Sequence, residues 1–201
     1  MMEQEIKIQA DIKSAETCQF TVDRPVYPGR SMYFANKERA KGSPLIEKLF
    51  EIENVVGILI SNTVVKVTKS GHEPWMPIAK QIGSIIRTQL QSGISPISDS
   101  VINEMPTEDE LREKVYRIFQ EEINPAVANH GGYVELIDVK NNRMFLRFGG
   151  GCHGCGMATV TLREGIERII RRAIPEIGDI IDVTDHESGE NPYYKSQGSQ
   201  E

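Results

Sequence analysis

The stretch Met144-Phe145-Leu146-Arg147-Phe148-Gly149-Gly150-Gly151-Cys152-His153-Gly154-Cys155-Gly156-Met157 carries more of the fold than any other. Met144, Leu146 and Phe148 alternate, which puts them on one face of a strand. Three glycines then break the pattern, and two cysteines follow at positions i and i+3. Beyond them Val160, Leu162, Ile166, Ile169, Ile170 and Ala173 recur at helical spacing, and Pro175 ends the run. A strand, a glycine-rich thiol loop and an amphipathic helix therefore stand in succession.

Upstream, Tyr133 to Val139 reads as a strand, joined to Met144–Phe148 by a hairpin turn at 140–143. Before it, Thr107 and Glu110 form a capping-box pair. Leu111, Val115, Ile118, Phe119 and Ile123 trace one apolar stripe, Pro125 is placed to kink that helix late, and Gly131 suits its C-cap. Downstream, Ile180 to Val183 reads as a last strand. The order predicts a three-stranded sheet covered by two helices.

The first half repeats the mixture. Cys18 to Val22 alternates as a strand, and Ser31 to Phe34 is expected to pair with it. Ser43-Pro44 starts a short helix. Val55–Ile60 and Val64–Thr68 flank a turn at 61–63 and read as a hairpin. Ile78, Ile82, Ile85 and Ile86 mark a helix from Trp75 to Leu90. The expected fold class is α+β, with two small α+β domains joined by a linker: residues 16–93, a serine-rich linker at 94–106, residues 107–186 holding the C-x-x-C loop, and a polar, mobile tail at 187–201. Residues before about Glu16 read as an extended lead-in.

Composition narrows the function. The 201 residues are 39% hydrophobic and 26% charged, as in ordinary globular proteins. A net charge of −6 argues against a general nucleic-acid binder. No apolar run reaches the ~20 residues that span a bilayer. Residues 1–11 lack the apolar core of a signal peptide and the arginine-rich character of a transit peptide. Three cysteines, two of them in the C-x-x-C, are no disulfide framework. The expectation is a cytoplasmic protein with functional thiols.

A thiol acts as ligand or nucleophile in its thiolate form, and the N–H groups at a helix N-terminus favour that anion. Glycines at 150, 151, 154 and 156 remove bulk and leave backbone N–H groups free to face sulfur. Three chemistries fit. Cys152 and Cys155 could hold an iron–sulfur cluster. Such clusters usually take four thiolates, so two chains would share one. They could form a redox dithiol, against which no aromatic residue adjoins the motif and the loop follows a hairpin and not a βαβ pattern. Two chains could also share a zinc ion. Spacing and context leave cluster and dithiol level, with zinc behind them.

The remaining motifs have plainer readings. Cys18 lies in a strand pattern and reads as core. His153 reads as a spacer, His130 as a helix-end residue and His186 as part of the tail boundary. Arg163, Arg168, Arg171 and Arg172 read as the solvated side of their helix, and Trp75 as a packing anchor. Gly149–Gly151 lacks the lysine of a phosphate loop.

Residues 150–157, with Thr161-Leu162-Arg163-Glu164-Gly165-Ile166-Glu167, resemble the C-terminal domain of NifU, the core of the Nfu-type iron–sulfur scaffold proteins. The resemblance runs from about Glu110 to Tyr194. It includes Ile123-Asn124-Pro125, the segment 130–132, and the ending 182–186 with Tyr193-Tyr194. Phe20–Val22, Ser43-Pro44-Leu45, Leu49-Phe50, Val55-Val56 and the Trp75 helix resemble the Nfu N-terminal domain. That domain's Asn-Pro-Asn-like segment is replaced here by Lys13-Ser14-Ala15-Glu16-Thr17. The resemblance implies a carrier and not an enzyme. Cys152 and Cys155 match the family's ligand positions. They would hold a [4Fe–4S] cluster in a homodimer, receive it from upstream assembly proteins and deliver it to apo iron–sulfur proteins.

Overall fold

On Val55–Asn62, Ile58 and Ile60 face one way and Gly57, Leu59 and Ser61 the other, and all five are buried. A strand covered on both faces has to be central, and the fold is organised around it. The computed structural model describes residues 5–129, 131–150 and 156–184.

The first sheet holds β1 (Ile8–Ile12), β2 (Thr17–Val22), β3 (Tyr27–Phe34), β4 (Val55–Asn62) and β5 (Val64–Lys69), in the order β1-β2-β5-β4-β3, with all neighbours antiparallel. The β4–β5 hairpin turns where expected, with Asn62 at φ 46°, a conformation asparagine tolerates. One face packs against α1 (Pro44–Leu49) and α2 (Trp75–Ser92) through Phe20, Phe34, Ile46, Leu49, Ile58, Ile82 and Ile86. Ser43 precedes α1 as read, but its hydroxyl does not cap it. It accepts instead from the Ser98 N–H at 3.0 Å.

Three expectations are corrected here. The lead-in is extended as read but belongs to the first sheet instead of preceding it: β1 pairs along β2, and Ile6 and Ile8 turn inward. Ile6, Ile8 and Ala10 do alternate, but an edge strand buries only one face and its signal is weak. Ser31–Phe34 pairs with β4 and not with β2, because β1 and β5 already occupy both edges of β2. The segment read as a linker carries α3 (Asp99–Asn103), capped by the Ser98 hydroxyl accepting from Val101 N–H. Ile97 is fully buried, and Val101, Ile102 and Met105 pack on the first core.

The second core starts at α4 (Glu108–Ile118), where Thr107 and Glu110 form the expected capping box. Leu111, Val115, Phe119, Ile123 and Val127 are all buried at a strict spacing of four. An α-helix repeats every 3.6 residues, so this stripe would drift off the core. A π-helical turn at Phe119–Ile123 takes up the surplus before α5 (Asn124–Ala128). Pro125 supplies no N–H to the turn before it, which explains where the ladder widens. Gly131 follows with φ 72°.

β6 (Gly132–Lys140) and β7 (Arg143–Gly150) form an antiparallel hairpin. Asn141 and Asn142 both take positive φ, as a two-residue turn of this kind requires. α6 (Gly156–Ala173) then crosses to β8 (Ile180–Asp182), which pairs parallel to β7. Parallel neighbours need such a crossover, so β7, α6 and β8 form a βαβ unit. The expectation that no βαβ pattern surrounds the thiol loop is therefore corrected. The helices cover the sheet through Val134, Met144, Leu146, Phe148, Ile166 and Ile170.

Candidate functional site

Cys152, Cys155 and His153 lie outside the described residues, as do His130 and His186. What the structure shows is the frame that brackets the cysteines in sequence. β7 ends at Gly150, two positions before Cys152, and α6 begins at Gly156, directly after Cys155.

The end of β7 is held from both sides. On one side Gly150 and Gly149 pair with Gly132 and Tyr133 of β6. A Cβ at Gly149 would run into the Tyr133 ring, so glycine here lets the tyrosine lie across the strand. Tyr133 stays 58% exposed. On the other side the Val183 N–H donates to Leu146 O at 2.7 Å, and the Phe148 N–H donates to Thr184 Oγ1 at 2.9 Å. Asp182 accepts from the Thr184 N–H at 2.9 Å and pairs with Arg163 of α6. Strand end, helix and final strand are thereby tied together.

The start of α6 carries no acidic residue in its first turn. In α4, by contrast, Glu108, Asp109 and Glu110 occupy that turn and offset the positive helix end. The amides of α6 are left unopposed by its own side chains, an electrostatic setting that favours thiolate over thiol.

Other sequence expectations meet the structure directly. Cys18 is fully buried, and burial pushes its thiol up, with the nearby Asp11 charge adding to the effect. Trp75 is 5% exposed, and its indole N–H donates to the Ser14 and Ala15 carbonyls. Lys69 Nζ lies 5.2 Å from its ring centroid. Arg163 and Arg172 are exposed as expected, but Arg171 is not. Its guanidinium stacks 4.1 Å from the Tyr33 ring centroid and bonds the Ile177 carbonyl and Glu167. The sequence reading missed it because helical spacing alone does not reveal that a second sheet covers that side of α6. It missed Tyr133 too, whose signal is a lone aromatic opposite a glycine across a hairpin. Among the described residues no three of His, Cys, Asp and Glu gather as a metal site, and no helix is long and apolar enough to cross a membrane.

Residues 115–181 match the family model described as the NifU-like domain, and residues 9–93 match that of the scaffold protein Nfu/NifU N terminal. The Fe/S biogenesis protein NfuA of Pseudomonas syringae pv. syringae is 52% identical over 88 residues, covering 42% of this chain and 45% of that protein. Its counterpart in Pseudomonas aeruginosa is 49% identical over 85 residues, covering 42% and 44%. The chain thus spans just under half the length of these curated relatives. The solution structure of a NifU-like protein from Saccharomyces cerevisiae overlays 49% of this chain and 91% of its own, with a TM-score of 0.42 and 19% identity.

Proposed function

This chain belongs to the Nfu-type family of NifU-like proteins, and from that premise we propose that it is a cytoplasmic iron–sulfur cluster carrier. Cys152 and Cys155 of two chains hold one [4Fe–4S] cluster as cargo and pass it to apo iron–sulfur proteins. The observation that carries this reading is the location of the C-x-x-C. In sequence it falls between the end of β7 at Gly150, a strand held from both sides, and the acid-free start of α6 at Gly156, within the NifU-like match.

The chemistry follows from the donor set. Two thiolates per chain would serve two of the cluster's four irons, so a second copy would supply the other two. A cluster held across two chains is released by ligand exchange. An acceptor thiol loses its proton as it binds iron, and a departing Cys152 or Cys155 thiolate takes one up. No electron moves: the step is ligand exchange. A compartment that keeps thiols reduced suits it. The first half of the chain is free to contact acceptors or the upstream donor.

Cys152→Ser and Cys155→Ser test the assignment. Each is expected to lose the cluster while keeping the wild-type melting curve. A full cluster in either variant contradicts it.

A second reading has one observation in its favour. The β7–α6–β8 parallel crossover is a topology in which a C-x-x-C dithiol can cycle through a disulfide. Reduction of a protein disulfide at the rate of a dedicated oxidoreductase would favour it over the carrier.

A further inference from the structure

The outer face of the first sheet meets the second unit at one place. Ser31 and Tyr33 of β3 and Gly57, Leu59 and Ser61 of β4 point away from the first core, yet Ser31 is fully buried and Leu59 and Ser61 are 6% and 7% exposed. What covers them is the end of the second unit formed by the β6–β7 turn, the last turn of α6 and the segment 174–179. The Ser31 N–H donates to Asn141 O at 3.3 Å, and the Asp179 N–H donates to Ser31 Oγ at 2.8 Å. The Ser61 hydroxyl donates to the Asp179 carboxylate and accepts from Arg143 Nη2 at 3.2 Å. Arg171 stacks on Tyr33, and Arg39 pairs with Glu176 at 3.1 Å.

Two glycines make the fit. A Cβ at Gly178 would run into Ser31, and one at Gly57 would lie 2.5 Å from the Tyr33 hydroxyl oxygen. Beside this contact an open cleft of about 660 Å³ lies between α6 and the sheet, bordered by Tyr33 and Arg171 and lined by charged residues such as Lys13, Lys66, Glu164 and Arg168. The contact is therefore local and keyed by polar groups, not spread over an apolar face.

Its position matters. β7 runs eight residues from Arg143 to Gly150, and α6 runs back eighteen from Gly156 to Ala173. Either element spans about 25 Å. Arg143, Arg171 and Asp179 thus mark the pole of the second unit opposite the described ends that bracket the cysteines.

We propose that this contact is a docking interface within one chain, keyed by Asp179 and Arg171, that fastens the first unit to the far pole and keeps it clear of the cysteine pole. The interface stands on geometry alone; its purpose, letting two cysteine poles close on one cluster without the first units intervening, rests on the carrier reading.

The test uses the full-length chain without cluster. Amide hydrogen exchange at Ser31 and Asp179 and the radius of gyration from small-angle scattering are compared for wild type, Asp179→Ala, Asp179→Asn and Tyr33→Ala. Asp179→Ala is expected to exchange at least about tenfold faster at both amides and to expand, while Ile60 and Leu146 inside the two sheets keep their protection. Asp179→Asn, which retains an acceptor for Ser61, should fall between. Tyr33→Ala removes the stacking partner of Arg171 from the opposite side of the contact and should also expand. The proposal is overturned if wild type scatters as two independently moving units, or if Asp179→Ala and Tyr33→Ala leave exchange and size unchanged. A wild-type chain that keeps the interface but takes up no cluster on separate reconstitution with iron and sulfide would count against the carrier reading alone.

Discussion

α2 and α6 are both eighteen residues long and both lay an isoleucine-rich face on a sheet, yet their first turns are put to opposite uses. α2 opens on Trp75, buried among Lys69 and the Ser14 and Ala15 carbonyls, so its N-terminus is locked into the core. α6 opens on Gly156, directly after Cys155; neither helix has an acid in its first turn, but α6 has no aromatic anchor there. The same amphipathic helix thus starts on a core anchor in one unit and, in the other, directly after the C-x-x-C that the carrier proposal assigns to the cluster. The identity of a few residues at the helix start decides which.

The sharpest way to break that contrast is to exchange the two losses. Cys155→Ser should abolish cluster binding and leave the melting curve unmoved, as measured by iron content and calorimetry. Trp75→Ala should do the reverse. Truncating a buried tryptophan costs about 3–5 kcal/mol, seen as a lower denaturation midpoint, while iron bound per folded chain holds constant. If Trp75→Ala removes the cluster from chains that remain folded, the division of labour is wrong.

Cysteine reactivity sharpens the contrast further. Cys18 is buried and its thiol is pushed up, so it stays protonated and shielded. At about pH 8, alkylation of the native cluster-free protein should modify two thiols, with the third reacting only after denaturation. Fast labelling of all three would contradict the assignment of Cys18 to the core.

The smallest effects belong to α4, whose start is capped in the ordinary way. Thr107→Ala should cost about 1 kcal/mol in denaturant titrations. The Thr107 backbone N–H and hydroxyl hold the Glu110 carboxyl below its ordinary value. A lowered carboxyl stabilises the fold at pH above the ordinary carboxylate range, and that stabilisation is lost as pH falls through the lowered value. Glu110→Gln should therefore flatten the acid side of the stability profile and leave the response above neutrality unchanged.

Much of this architecture was legible because local chemistry and tertiary structure agree. Thr107 and Glu110, the β-branched runs around Asn62, and Met144, Leu146 and Phe148 each point to one conformation, and each adopts it. What was not legible depended on partners distant in sequence. β1 shows only a half-buried alternation. Ser31–Phe34 cannot announce which strand it will meet. Ile97 is buried, and Met105 partly buried, by a core assembled from elements far earlier in the chain. Arg171 looked like surface because a helix face carries no sign that Tyr33 will cover it. The crossover around the cysteines stayed hidden for a related reason, since only pairing of β8 with β7 makes the second strand parallel. At the candidate site the two cysteines were legible from spacing, but the cargo was not. Two thiols three positions apart fit three chemistries, and the preference for a cluster comes from family membership.

The measurement that bears most directly on the carrier is anaerobic reconstitution of the wild-type chain with iron and sulfide, followed by iron and sulfide analysis and native mass. The account predicts a two-chain species holding about one [4Fe–4S] cluster. A chain that takes up no cluster under those conditions, and whose Cys152 and Cys155 instead close into a reversible disulfide, would contradict it.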